Sequence, residues 1–265
     1  MKIGLACRLA VAPGQRLGDT VHESARRAEA AGLASWWAPG DRDAAGDRSH
    51  DPTLGLYAAA RATTSLRVVL SGDLPSVRSA AVRAKQLASL DWFSGGRVEV
   101  GYDLDPPPSR LVDPFLHDDV DPTQRAVHRV AAMQALWTQR RPAYASDVVS
   151  FDRVIALPKT VGDRVPLTHV RATDPAVLEG FVRTCGLPGG HVAWRCGPDE
   201  LVRGLEDLTK VVGAAAEGVR TTWCVDSAAL PEAREAVADL GVRVDELVAW
   251  FDHVPDEGEI AALSA

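Results

Sequence analysis

The stretch from Asp51 to Gly101 reads DPTLGLYAAARATTSLRVVLSGDLPSVRSAAVRAKQLASLDWFSGGRVEVG. Asp51 is placed to cap a helix whose first position is Pro52, and the alanine-rich run behind it carries that helix to about Thr64. LRVVLSGDL is apolar and β-branched, the composition of a buried strand. Ala80, Ala84, Leu87 and Ala88 then recur at helical spacing, Ser94-Gly95-Gly96-Arg97 breaks that helix, and RVEVGY begins another strand. Two glycines in series allow a tight turn with positive φ. Helix, strand, helix and strand joined by short connections form a parallel sheet, because parallel neighbours need a crossover and the helix supplies it.

The same alternation extends in both directions. Upstream, KIGLACRL reads as a first strand. Thr20 and Glu23 read as a capping box, with Val21, Ala25 and Ala28 on one helix face up to Gly32, and LASWWA reads as a second strand. Downstream, Asp121-Pro122 opens a helix bearing Val127, Val130, Met133 and Trp137. Residues from about Gln139 to Arg164 break the rhythm, as an insertion with short strands between helix four and strand five. VPLTHVRA, HVAWRC, VRTTWCVDS and DELVAWF read as strands five to eight, with helices opened by Asp174-Pro175, Gly197-Pro198 and Pro231 and a stunted last helix after Asp256. The expected fold is a single-domain α/β protein, a (β/α)8 barrel of the TIM type spanning residues 1–265. The rival, an open doubly wound sheet, usually carries a Gly-rich first turn, G-x-G-x-x-G, which is absent.

Composition narrows the function classes. Against 29 lysines and arginines stand 36 aspartates and glutamates, a formal charge of −7. No basic block stands out, so nucleic acid and anionic membranes are poor partners. Cys7, Cys185, Cys196 and Cys224 show neither C-x-x-C nor zinc spacing and read as reduced thiols, and no run approaches a membrane span. The cytoplasm is the expected compartment. There is no G-x-S-x-G, no H-E-x-x-H and no P-loop.

The stretch quoted first, above all Leu90-Asp91-x-x-Ser94-Gly95-Gly96-Arg97, resembles the luciferase-like monooxygenase family, which includes deazaflavin-dependent oxidoreductases. The QALWTQ helix end, VSF and LGVRVDELVAWF agree more weakly. The Ser-Gly-Gly-Arg turn falls at the N-terminal end of a strand, the face that serves stability in a barrel, so the motif that identifies the family is structural.

Chemistry in a barrel belongs at the C-terminal strand ends. The resemblance implies flavin mononucleotide or a deazaflavin (coenzyme F420) there, with the ring across the mouth and its phosphate on backbone amides. The family's G-x-G-x-G after strand four is Gly101-Tyr102-Asp103-Leu104-Asp105-Pro106, which keeps only the first glycine. The family's acidic residue and His after strand two become Asp41 and Arg42, and an arginine cannot relay protons near neutrality. Ser71 and Gly72 fit backbone contacts to the ring. Arg171 and Ala172 stand where small residues help hold the phosphate, and Arg171 either binds phosphate or pairs with a rim aspartate. The candidate catalytic residues are thus Asp41, Arg42, Tyr102 and Asp103, and the candidate cofactor-binding residues are Ser71, Gly72, Gly101, Arg171 and Ala172. With Asp73, Asp226, Asp252 and His253, Asp41 and Asp103 would make an acidic rim able to bind a divalent metal or a cationic substrate. His169 and His191 read as packed strand residues, and Trp194, Trp223 and Trp250 as barrel or helix-layer packing.

Two readings follow. One is an oxidoreductase using reduced flavin or deazaflavin on a small organic substrate. The other is a repurposed barrel that binds no flavin, either a cofactor-independent enzyme or a non-catalytic partner subunit. Asp103 and Asp105 crowd the ring and repel phosphate, so any flavin should bind weakly or not at all. The alanine-rich faces of the first units and the family habit predict a homodimer or a heterodimer with a relative.

Overall fold

The structure, a computed structural model, describes residues 1–40, 42–43, 50–108 and 120–264. Candidate residue Asp41 lies outside the described residues. The chain runs β1 (Lys2–Cys7), α1 (Leu17–Ala30), β2 (Ser35–Pro39), α2 (Pro52–Ala62), β3 (Arg67–Asp73), α3 (Ala80–Ser94), β4 (Val98–Asp103) and α4 (Pro122–Thr138). A short antiparallel pair, β5 (Tyr144–Ala145) and β6 (Ser150–Phe151), follows. Then come β7 (Leu167–Arg171), α5 (Pro175–Cys185), β8 (Gly190–Trp194), α6 (Pro198–Val212), β9 (Arg220–Asp226), α7 (Leu230–Ala236), β10 (Glu246–Phe251) and α8 (Glu257–Leu263). Eight parallel strands close into a barrel in the order β1-β10-β9-β8-β7-β4-β3-β2. The expected β/α barrel is the fold that forms.

The local signals explain most boundaries. Asp51 accepts the Thr53 N–H at 2.8 Å, and Asp121 accepts from Thr123 and Gln124, each just ahead of a proline at the first helical position. Gly95 ends α3 in the left-handed conformation at φ 69°, and the Arg97 guanidinium then ties the turn to carbonyls of Ala60, Thr63 and Leu66. The expected capping box at Thr20 does not form. Helix α1 starts earlier, at Leu17, so Thr20 lies inside it and donates to the Arg16 carbonyl, while Glu23 pairs with Arg26 and Arg27.

Strand alternation divides the core in two. Leu5, Trp36, Val68, Val100 and Val170 face the helices. Ala6, Trp37, Val69, Val192, Cys224, Val248 and Trp250 fill the barrel interior, with Trp194 against them. Below this apolar layer, at the N-terminal ends of the strands, lies a buried charged layer. Arg67 bonds Glu99 at 3.0 Å and Glu246 at 2.6 Å, Arg220 bonds Glu99 at 2.7 Å, and His169 Nε2 reaches Glu99 at 2.8 Å. Burial alone would raise the Glu99 carboxyl, but the His169 hydrogen bond and the charges of His169, Arg67 and Arg220 bring it down to about 2. The barrel floor is therefore sealed by paired charges, and the open chemistry lies at the other end.

Candidate functional site: a bridged barrel mouth

At the C-terminal ends the mouth is assembled from five segments: Arg42 and Asp43 after β2, Ser71-Gly72 in β3, Asp103 to Pro106 at and after β4, Arg171 to Thr173 at and after β7, and Trp194-Arg195 at and after β8. Strand β3 shifts register against β4 between Leu70 and Asp73, a bulge in which Gly72 adopts φ +58°. Strand alternation from the inward Val69 turns Ser71 inward, where its hydroxyl donates to Asp43 Oδ2 at 3.0 Å.

An ion-pair bridge spans the opening. Arg171 Nη2 donates to Asp43 Oδ1 at 2.5 Å, and Arg171 Nε to Asp103 Oδ2 at 2.7 Å. Arg42 Nε lies 2.9 Å from the same Asp103 oxygen. Both aspartate side chains are only 3% exposed, so this is a desolvated network and not a surface pair. Two guanidiniums face two carboxylates and the four charges sum to zero. Arg42 Nη2 also donates to the carbonyls of Asp105 and Pro106, at 3.0 and 2.6 Å. Asp105 turns the other way and accepts the Thr173 N–H at 2.9 Å.

Beneath the bridge is an aromatic floor. Trp194 meets Trp250 edge to face at 5.6 Å and Trp37 at 6.3 Å. The Arg171 guanidinium lies 5.9 Å from the Trp194 ring centre, and that of Arg195 lies 5.0 Å from Trp250.

The residues singled out in the sequence divide accordingly. Arg42, Ser71, Gly72, Asp103 and Arg171 come together at the mouth. Gly101 lies beneath it, where an added Cβ would stand 3.2 Å from the Leu70 carbonyl, so close approach of β3 requires it. Ala172 packs on the helix side. Tyr102 is a correction: strand alternation turns it into the helix layer, 1% exposed, where burial and the charge on Asp73 push its phenol up. The acidic rim is a second correction. Asp73 faces α3 and is gripped by Arg83, Asp226 pairs with Arg195, Asp252 with Arg8 and His253 with Glu259. Among the described residues no three His, Cys, Asp or Glu side chains converge on a metal position. The expected repulsion of phosphate by Asp103 and Asp105 is also corrected, since Asp103 is neutralised by two arginines and Asp105 is drawn onto a backbone amide. Asp43, Thr173 and Trp194 were missed as site residues, while Asp105 was singled out for repulsion and instead pairs with the Thr173 amide. Asp43 and Trp194 carried a signal, an acid in the β2 loop and an inward-parity aromatic at a strand end; Thr173, a backbone donor, carried none.

These contacts test whether a flavin fits. A ring laid over Gly72, where the resemblance puts it, meets Asp43 and Arg171, because even a Cβ on Gly72 would overlap Asp43 Oδ2 and Arg171 Nη2. Beside Arg171 and Ala172, the Thr173 N–H already bonds the Asp105 carboxylate. With the bridge closed, the residues do not fit a flavin in that placement.

A closed barrel of eight parallel strands alternating with helices, with an ion-pair bridge across its C-terminal mouth, defines a β/α-barrel protein. More narrowly, the chain belongs to the luciferase-like monooxygenase family, whose model matches residues 1–217. An uncharacterized protein of Mycobacterium tuberculosis (strain CDC 1551 / Oshkosh) is 28% identical over 251 residues, covering 85% of each chain. The FMNH2-dependent dimethylsulfone monooxygenase of Pseudomonas putida is 30% identical over 117 residues, 43% of this chain and 31% of its own. Among solved structures, monooxygenase RslO1 from Streptomyces bottropensis superposes with a TM-score of 0.76 at 19% identity, covering 100% of this chain and 96% of its own. An F420-dependent secondary alcohol dehydrogenase, in complex with an F420-acetone adduct, gives 0.77 at 14% identity, with 99% and 97% covered. At these identities the structural likeness speaks for the fold. Among the described residues no helix is long and apolar enough to cross a membrane.

Proposed function

We propose that this chain is an oxidoreductase that acts on a small organic substrate with reduced flavin or a deazaflavin as an exchangeable co-substrate, admitted only when the mouth bridge opens. The observation that carries this reading is the tryptophan floor with a guanidinium lying against each of two rings, Arg171 on Trp194 and Arg195 on Trp250. Such a floor suits a planar conjugated ligand with negative charge, which stacks on the indoles and meets fixed cations at its edge. Family membership supports the redox chemistry, which the cofactor would bring while the protein supplies orientation and electrostatics. The test is turnover. Purified protein with reduced flavin mononucleotide or with deazaflavin, against a panel of small alcohols, ketones and sulfur compounds, is expected to oxidise or reduce at least one cofactor in a substrate-dependent way. No turnover with either cofactor across the panel would sink the proposal.

The packing at Gly72 favours a second reading, a mouth that never admits a flavin and serves cofactor-independent chemistry or a partner subunit. Retained binding of small organic molecules with no cofactor turnover would favour it.

The assembly we propose is a homodimer. Leu54 on α2, Val82, Trp92 and Phe93 on α3, and Ile155 and Leu157 in the segment packed on α3 are all more than half exposed. Trp92 Nε1 donates to the Lys159 carbonyl, which fixes the ring in that exposed position. A second copy related by a two-fold axis would bury this apolar face against itself. The four cysteines are unpaired, which agrees with a reducing compartment such as the cytoplasm as the working location.

A further inference from the structure

On the outside of the helix layer an apolar groove of about 300 Å³ opens between α3, α4 and the segment after β6. Its inner wall is Ala84 of α3 with Leu136 and Trp137 of α4, all buried, and its outer wall is Phe151 with residues 154–158. Hydrogen bonds fix both walls. Trp137 Nε1 donates to the Ala84 carbonyl at 2.9 Å, which joins the two helices and uses the one polar atom of that ring. The outer wall is tied at each end: the Val154 N–H bonds the Pro142 carbonyl at 3.1 Å, and Lys159 Nζ donates to the Leu136 and Gln139 carbonyls at 2.7 and 2.6 Å. Small side chains leave the gap, Ala81 and Ala84 on one side and Ala156 on the other. Protein interiors are close-packed, so an apolar space of this size beside a buried tryptophan is room for a molecule other than the chain itself.

One charge overlooks the groove. Lys85, exposed on α3, is the ionisable side chain among those that line it. Its carbonyl takes the Ser89 hydroxyl, and its ammonium makes no ion pair with a carboxylate among the described residues. We infer that this groove is a binding site for a medium-chain carboxylate, with the alkyl chain between Trp137 and Ala156 and the carboxylate against Lys85. The volume is at the lower end for small-molecule pockets and suits a chain of roughly six to ten carbons. The other lining side chains offer no free polar atom, so a polar group carried deeper along the ligand would be stripped of water without a partner. A single anionic head at the end of an apolar chain meets both conditions, whereas a cationic head would face Lys85 with like charge. This site is independent of the flavin reading, because no residue of the barrel mouth lines the groove.

The experiment is calorimetric titration of wild type, Lys85→Gln and Ala81→Phe with hexanoate, octanoate, decanoate, 1-octanol and octylamine; both substitutions fall at exposed positions of α3. Wild type is expected to show one saturable site, with affinity rising about fourfold for each added methylene up to the length the groove holds. Octanoate should bind about two- to fivefold more tightly than 1-octanol, the scale of an exposed ion pair, and octylamine more weakly than either. Lys85→Gln should bring octanoate to the level of 1-octanol and leave 1-octanol unchanged, and it tests the head group even if Ala81→Phe fails to fold. Ala81→Phe puts a ring into the groove and should abolish binding of every ligand. Decanoate that does not saturate at millimolar concentration would overturn the inference. So would octanoate and 1-octanol binding wild type equally, or an octanoate preference that survives Lys85→Gln. Binding that survives in folded Ala81→Phe would place the ligand elsewhere, such as the barrel mouth, and overturn it too. Were the groove filled by a second copy of the chain, light scattering would show a dimer that decanoate does not enter and Ala81→Phe dissociates, and the inference would fall.

Discussion

Replacing Arg171 with leucine removes the guanidinium that joins three segments of the mouth. In the folded protein it lies 2.5 Å from Asp43 and 2.7 Å from Asp103, with the arginine side chain 16% and each aspartate 3% exposed. Asp103 keeps Arg42 as a partner, but Asp43 retains only the Ser71 hydroxyl among the contacts described. Two unit charges at about 4 Å and an effective dielectric near 20 interact by on the order of 4 kcal/mol. Breaking a buried pair by deleting one partner costs about 3–5 kcal/mol, because the surviving charge stays desolvated. Against a total stability of about 5–15 kcal/mol, Arg171→Leu should lower the urea midpoint markedly with the slope unchanged. The measurement is equilibrium unfolding followed by far-ultraviolet circular dichroism and tryptophan fluorescence. Asp43→Asn added to Arg171→Leu removes the stranded charge and should recover about 1–3 kcal/mol, the coupling expected of residues in contact. Arg171→Leu within about 0.5 kcal/mol of wild type, or a double variant no more stable than the single one, would show that the bridge is not the buried network described.

Gly72→Ala forces a side chain onto a φ of +58° and into Asp43 and Arg171, so it should cost at least about 1–2 kcal/mol from the backbone alone; wild-type stability in urea would refute the close approach. Acid should act in two windows. His191 is buried and its imidazole is pushed down from 6.5 to about 4 by burial and by neighbouring His169, so the unfolded chain takes up that proton first and about 3 kcal/mol is lost as pH falls from 6.5 to 4. Glu99, held down near 2 by His169, Arg67 and Arg220 against its burial, protects above about 4.5 and loses a similar amount, about 3 kcal/mol, as pH falls from there toward 2. His191→Gln should flatten the upper window only, read as melting temperature against pH. The exposed apolar face predicts a dimer by light scattering and a folded monomer for Phe93→Glu; a wild type that is monomeric throughout would overturn the interface.

The barrel was legible because its signals are local and repeated. Asp51-Pro52, Asp121-Pro122 and Asp174-Pro175 mark helix starts through hydrogen bonds that span two or three residues, and all three cap as expected. Thr20 misled because a hydroxyl inside a helix and one at its cap look alike when Glu23 follows at the right distance. The mouth was only half legible. Arg171 carried both of its readings in the sequence, and the structure shows the pairing one, with Asp43 as a partner 128 residues away that no spacing rule connects to it. Tyr102 lay beside Asp103 in sequence but points to the opposite side of the sheet, a consequence of strand alternation that its neighbours Val98 and Val100 already announced. Charge was misjudged for the same reason. Asp103 and Asp105 counted as two repelling anions while their partners Arg42, Arg171 and the Thr173 amide lay on other strands.

Equilibrium titration of the purified wild type with reduced flavin mononucleotide and with deazaflavin, without oxygen, tests the central claim most directly. An exchangeable co-substrate admitted through a closed bridge predicts saturable binding with a dissociation constant of roughly 10–500 μM, about −7 to −4.5 kcal/mol, and no flavin retained through purification. A cofactor that copurifies with the chain, or a dissociation constant of about 1 μM or tighter, would contradict the closed mouth, and no saturable binding at millimolar concentration would contradict the oxidoreductase assignment itself.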